Sequence, residues 1–281
     1  MNSPAVLAEI RRIEIGLLLE AIFQRYGYDF RDYMRETIER RLEQFQKENN
    51  IESLSLLCSR VLREQSLFYQ LIGYFSINVT ALFRDPFVYA ALRAQVLPML
   101  RTWPHVKVWD AGCATGEEVY SLAILLAEEG LYDRTTIYAT DISSSALATA
   151  KAAIYPLTTL QQGSRNYLES GARASLSDYY HARYDAAIID SRLQKNLTFA
   201  KHNLVMDKSF GEMQVIVCRN VLIYFNRNLQ DQVLETFWES LENGGYLCLG
   251  DKESISFTSV SERFEVIDHT ARIYKKKGVL G

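Results

Sequence analysis

The sequence predicts an α/β chain: a Rossmann-like domain on a parallel sheet, carrying a small β-subdomain insertion and preceded by an all-α domain. Three observations carry this expectation. Residues 106–127 (VKVWDAGCATGEEVYSLAILLA) read as buried strand, tight glycine turn and helix in succession. After them, apolar runs such as QVIVC (214–218) alternate with helical periods, as the crossovers of a parallel sheet require. Before them, residues 1–75 show helical spacing alone.

Within the first 75 residues, Ile10, Ile13, Leu17 and Ala21 mark one apolar stripe, and Phe30, Met34, Ile38, Leu42 and Phe45 a second. Leu54, Leu57 and Val61 mark a third, and Leu67, Leu71 and Phe75 a fourth, with Gly27 and Asn49-Asn50 as punctuation. The second helix is expected to carry Arg31, Arg35, Arg40 and Arg41 among Glu36, Glu39 and Glu43. Glu36 and Arg40 form a supporting i,i+4 pair, while Arg31 and Arg35 are like-signed. A solvated mixed-charge face accounts for this, and the sharper alternative is a dock for an acidic partner helix.

Residues 76–86 (SINVTALFRDP) break the helical period, and 76–100 read as a linker segment and helix. Asp85 is placed to cap a helix opening at Pro86, with Phe87, Ala91, Ala94 and Leu97 as its stripe. A linker lying over the glycine turn would close a pocket there and bring Arg84 to its centre. The α/β domain then spans 101–281. Strand 106–110 and helix 117–129 are followed by strand 136–140 and a helix near 143–153 capped by Ser143. Ala186–Asp190 and Asn196–Ala200 read as two short strands around Ser191-Arg192, a β-subdomain of roughly 184–201. After QVIVC comes the loop Arg219–Phe225. A helix over 227–242 follows, ending at Asn243-Gly244-Gly245, and three closing strands come last, two of them a hairpin. Lys275–Lys277 read as a solvated tail.

A net charge of −3 gives no reason to expect nucleic acid as partner. No apolar run approaches the ~20 residues of a membrane span, and the N-terminus lacks the basic start and apolar core of a signal peptide. The four cysteines lack C-x-x-C spacing and sit in apolar context, so core residues are expected rather than disulfides or zinc ligands. The chain thus reads as cytosolic, without direct membrane insertion and with no metal site.

A ligand is expected at the carboxyl end of the strand, over Gly112 and Gly116. A dinucleotide fingerprint needs G-x-G-x-x-G, whereas this turn is D-A-G-C-A-T-G-E-E. Glu117 and Glu118 at the helix start would repel a pyrophosphate but suit a cationic or hydroxyl-bearing ligand. Asp141 ends the next apolar run, where a carboxylate can take both ribose hydroxyls. That pattern resembles an S-adenosylmethionine site, for a ligand with an adenosine, a sulfonium and no phosphate.

SINVTALFRDP, DAGCATGEEVYSLA, YATDIS, HNL and CRNVLIYFN, in this order and spacing, resemble the CheR family of chemotaxis methyltransferases. The resemblance spans essentially the whole chain. It implies a class I methyltransferase domain using S-adenosyl-L-methionine, with S-adenosyl-L-homocysteine as product. It also implies esterification of glutamate side chains on the cytoplasmic helices of a bacterial chemoreceptor, docked near Arg31, Arg35, Arg40 and Arg41. By the same resemblance Asn78, Thr80, Arg84, Glu118, Asp141, Asn203, Leu204, Arg219 and Asn220 line the cofactor pocket along with Gly112, and Arg84 and Tyr224 face the methyl group and the substrate carboxylate. Three departures stand out: Leu82 replaces the first of the family's aromatic pair before the arginine, the basic helix at Arg31–Arg41 is poorer in Arg and Lys than the family's receptor-touching helix, and Ser191-Arg192 lacks the glycine-flanked turn of members that bind a receptor's C-terminal pentapeptide.

The implied chemistry needs no general base, since a glutamate of pKa about 4.3 is ionised at neutral pH. What the protein must do is place the reacting atoms at roughly 3 Å and exclude water. Other readings are a catalytically silent S-adenosylmethionine-binding adaptor in signalling and a small-molecule methyltransferase on the same fold. The intact Arg84 and Tyr224 speak against the first, and the helical domain with its arginines against the second.

Overall fold

In the computed structural model, which describes residues 3–75, 80–209 and 211–278, four helices come first: α1 (Pro4–Tyr26), α2 (Arg35–Glu48), α3 (Leu54–Arg63) and α4 (Gln65–Phe75). Ser3 and Ser53 cap α1 and α3 by accepting the N–H of Val6 and Leu56. Gly27, at φ +75, ends α1 in the left-handed conformation that glycine adopts without strain. Ile15, Leu18 and Ile22 of α1 pack with Ile38, Leu42, Phe45, Leu57, Phe68 and Leu71 in a core of their own.

The second, third and fourth stripes are buried as the spacing implies, except that Met34 is exposed at the start of α2. The first is not. Ile10, Ile13 and Leu17 are exposed, Leu17 by 63%, while Ile15, Leu18, Leu19 and Ile22 turn inward. Helix α1 is apolar on both faces, so periodicity alone does not say which face packs. Arg31 stands in the turn before α2 rather than on it, bound to Asp29 and Glu20.

Helix α5 (Pro86–Ala91) continues through a wide-turned stretch, Leu92–Val96, into α6 (Leu97–Leu100). Its buried stripe is Val88, Tyr89, Leu92, Val96 and Leu97, and Phe87 and Ala94 are exposed. The wide turn rotates the register away from the regular spacing. Asp85 precedes α5 at φ +57 and makes no side-chain cap; its carboxylate is taken by Arg219 instead.

The elements that follow are β1 (Val106–Ala111), α7 (Glu117–Glu128), β2 (Thr135–Asp141), α8 (Ser144–Ala152), β3 (Ile154–Pro156), α9 (Leu157–Glu169), β4 (Tyr180–Arg183), β5 (Ala186–Ile189) and β6 (Leu197–Lys201). Then come β7 (Met213–Cys218), α10 (Arg227–Ser240), β8 (Leu241–Leu249), β9 (Phe264–Asp268) and β10 (Ile273–Lys276). Among the described residues the main sheet has seven strands, ordered β6-β2-β1-β7-β8-β10-β9. The pairs from β6 to β8 are parallel, and β10 runs antiparallel to both its neighbours, β8 and the edge strand β9. Side chains alternate between two cores. Val106, Val108, Val215 and Val217 face one, and Trp109, Ala111, Ile216 and Cys218 face the other under α10. Both faces being covered explains why these strands read as continuous apolar runs.

Several expectations need correcting here. The β-subdomain is the three-stranded sheet β3-β5-β4, drawn from 154–189 rather than 184–201. Strand β6 belongs to the main sheet, paired with β2 from Ile137–Leu197 to Asp141–Lys201. The subdomain's hairpin turn is Tyr184-Asp185, so the missing glycines at Ser191-Arg192 say nothing about it. Helix α10 ends at Ser240, and Asn243-Gly244-Gly245 lies in β8 at a register irregularity against β7. Lys276 is no solvated tail: it is buried, and its Nζ donates to the carbonyls of Trp238 and Leu241. Leu82, at the departure from the aromatic pair, is fully buried against Gly163, where an added Cβ would lie 2.7 Å from the leucine Cβ. Among the described residues the cysteines are unbonded, three of them buried, and no helix is long and apolar enough to cross a membrane.

Candidate functional site

The strand order reverses between β1 and β7, and the carboxyl ends of β2, β1 and β7 open there onto one cavity. Every sequence-predicted site residue that is described lines it: Thr80, Arg84, Gly112, Glu118, Asp141, Asn203, Leu204, Arg219, Asn220 and Tyr224. Asn78 lies outside the described residues.

The floor is the turn after β1. The N–H groups of Gly112 and Cys113 both donate to Thr140 O, which folds the turn over the end of β2. Gly112 sits at φ +95, and a Cβ there would meet Val221 Cγ2 at 2.5 Å, so conformation and space both demand glycine. Asp141 belts the turn from the side. Its Oδ2 accepts the Ala114 N–H at 3.0 Å and its Oδ1 the Ser143 N–H at 2.8 Å. Each oxygen keeps acceptor capacity toward the cavity. Burial pushes its carboxyl above the usual range, against the pull of those N–H groups.

Glu118, in the first turn of α7, is held by Arg219, whose Nη1 donates to Oε1 at 2.6 Å. The other arm of Arg219 donates to Asp85 Oδ2 at 2.7 Å and to Arg84 O at 2.9 Å. The Arg219 side chain is only 2% exposed, so this guanidinium is a strut inside the wall. Beneath it lies Asp110, buried, with neither carboxyl oxygen hydrogen-bonded among the described residues. Burial and the nearby Glu118 push its carboxyl well above the ordinary range. Glu117 points elsewhere, accepting from the Thr115 hydroxyl. Glu118 and Asp85 share the one Arg219 guanidinium, so this wall keeps a net negative charge even with Asp110 held toward its neutral form, a surface suited to a cationic ligand.

At the mouth stand Arg84 and Tyr224. Arg84 is half-exposed, and its Nε approaches Asp85 Oδ2 to 3.9 Å. Burial raises the Tyr224 phenol, opposed by the positive charges of Arg41, Arg84 and Arg40, so it is a hydrogen-bond donor at neutral pH. Asn203 offers its amide from the loop after β6, its Oδ1 accepting from Val205 N–H.

Residues without a local signal complete the cavity: Phe30, Tyr33 and Phe75 come from the helical part, and Ile142, Val221 and Phe225 from strand ends and loops. They arrive because the two parts dock. Met34 N–H donates to Tyr224 O, and Asn226 donates through its backbone and its side chain to Asp32, each at 2.8 Å. The rings of Tyr33 and Phe225 meet edge to face at 4.8 Å.

The chain matches the model of the CheR methyltransferase all-alpha domain over residues 13–76 and that of the CheR methyltransferase SAM binding domain over residues 78–273. It is 49% identical over 264 residues to a Pseudomonas putida protein named Cher3, covering 94% of this chain and 97% of that one. A protein named chemotaxis protein methyltransferase 1 from Vibrio cholerae is 32% identical over 76% of this chain and 78% of its own length. One named chemotaxis protein methyltransferase from Listeria monocytogenes is 30% identical over 82% and 85%.

Proposed function

As the chain belongs to the CheR methyltransferase family and uses S-adenosylmethionine, we propose that it methylates glutamate side-chain carboxylates of a protein, a chemotaxis receptor. The observation that carries this reading is the cavity itself: an acid-rimmed cradle and the Arg84–Tyr224 pair open onto one space. Asp141 would hold the ribose. Glu118, Asn203 and Asn220 would take the donor's remaining polar ends, and the excess carboxylate charge would favour its sulfonium and ammonium. When bound, the donor supplies an activated methyl group on a leaving group that departs neutral.

The remaining work belongs to the side chains. Arg84 steers the incoming carboxylate by charge, and Tyr224 donates a hydrogen bond to one oxygen, leaving the other free to attack. The aromatic wall of Phe30, Tyr33 and Phe75 excludes water that would blunt the nucleophile. For the protein substrate, Arg31 and Arg35 are already engaged, with Glu20 and Asp29 and with Glu39. Arg40 and Arg41, whose charge is felt at Tyr224, are therefore the part of the basic face that guides acidic helices to the mouth.

Incubation with methyl-labelled donor and a chemoreceptor cytoplasmic fragment tests the reading. The expected result is label on the fragment that alkali releases as methanol, the mark of an ester. Label stable to alkali, or found on small molecules alone, would overturn it.

Asp141→Ala should weaken donor binding about 10–100-fold, the loss of hydrogen bonds to a charged acceptor at about 1.4 kcal/mol per decade. Calorimetry returning wild-type affinity would remove Asp141 from the site.

A further inference from the structure

We propose that Glu253 is a positioning residue for the reaction: its buried carboxylate clamps the loop after β7 in the conformation that turns Asn220 and Tyr224 into the cavity. Glu253 lies in the turn after β8 and is 4% exposed. Its Oε2 accepts the N–H of Gly250 at 2.6 Å and of Asn220 at 3.0 Å; its Oε1 accepts those of Val221 at 2.8 Å and Ile223 at 3.3 Å. The loop's N–H groups thus converge on one point, the concavity in which backbone binds an anion. The protein supplies that anion from its own chain.

Two features show that the fit is built. Asn220 stands at φ +60, the left-handed region that asparagine enters more readily than other non-glycine residues, and there its N–H points at the Glu253 carboxylate. Gly250 leaves the room: a Cβ there would lie 2.7 Å from Glu253 Oε2 and 2.9 Å from Asn220 N. Among the described residues no salt bridge reaches Glu253, and backbone N–H dipoles do the holding. An amide of the same shape cannot replace it, because a glutamine sets an NH2 donor against N–H donors where the second oxygen was.

This rests on the reading that Asn220 faces the methyl donor, so the test separates the two. Glu253→Gln should weaken donor binding about ten-fold and lower kcat similarly, while in an Asn220→Ala background the same change should weaken donor binding less than about two-fold, as for residues acting through one another. Equal losses in both backgrounds, or unchanged affinity in Glu253→Gln, would overturn the clamp. If Asn220→Ala alone leaves donor affinity unchanged, the site reading on which the clamp stands is removed. Amide hydrogen exchange of the wild-type protein needs no variant. The amides of Asn220, Val221 and Ile223 should be protected like those of β7, and exchange at the rate of an open loop would sink the proposal.

Discussion

Arg84→Ala should lower the rate of methyl transfer about 10²–10³-fold while weakening donor binding less than about ten-fold, the range seen when a group that orients or stabilises the reacting charge is removed. The backbone that carries Arg84 is pinned on both sides. Phe83 N–H donates to the Ser121 hydroxyl of α7 at 2.8 Å, and Arg84 O accepts from Arg219. Phe83 and Asp85 both sit at positive φ, and that twist brings the Arg84 side chain to the cavity mouth beside Tyr224. Removing the guanidinium leaves those anchors in place, so the cradle keeps its shape and loses what steers the carboxylate. The kinetic signature is a fall in kcat from lost orientation joined by a raised KM for the protein substrate, the mark of a group that both draws in and orients the carboxylate. Arg84→Lys should fall between, keeping the charge but not the planar fork. Unchanged turnover in Arg84→Ala would refute the assignment, and an equal loss in donor affinity would recast Arg84 as a donor ligand alone.

The carboxyl ends of the central strands were legible in the sequence because each apolar run stops on a polar residue where a parallel sheet opens to solvent. Asp141, Arg219 and Asn220 follow such runs directly, and Gly112 marks a turn whose backbone comes close to a neighbour. The contacts that cross the chain were not legible. That Arg219 serves Glu118 and Asp85 as a strut depends on partners 101 and 134 residues away. Glu253 reads as one more acidic residue in a polar loop until β8 and β7 lie side by side. Phe30 and Phe75 are recognisable as core, yet no local signal says that their edges also wall a cavity. Faces misled where pattern was ambiguous. Helix α1 carries apolar residues on its outer as well as its inner face, β6 was as short as an insertion strand, and Lys276 sat in a basic run although its stem is packed inside and its ammonium is bound by two carbonyls.

Arg219→Met should destabilise the protein by about 3–5 kcal/mol, the cost of breaking a buried ion pair from one side. In a chain of this size that lowers Tm on the order of 10 °C. The methionine fills the space, so the loss is electrostatic. Glu118 stays buried with no guanidinium to balance it, and Asp85 loses its partner. Adding Glu118→Gln removes one of the stranded charges and should return more than half of the lost stability. It should not return donor binding, because the negative charge that favours a sulfonium is then gone as well. That divergence between stability and affinity separates a strut from a ligand: a residue that only touched the donor would leave Tm of the free protein unchanged, and would gain nothing from the second substitution. Thermal unfolding of the two variants beside donor titration of the double variant checks both halves. A Tm for Arg219→Met within about 2 °C of wild type would mean that the Arg219–Glu118 pair holds nothing up.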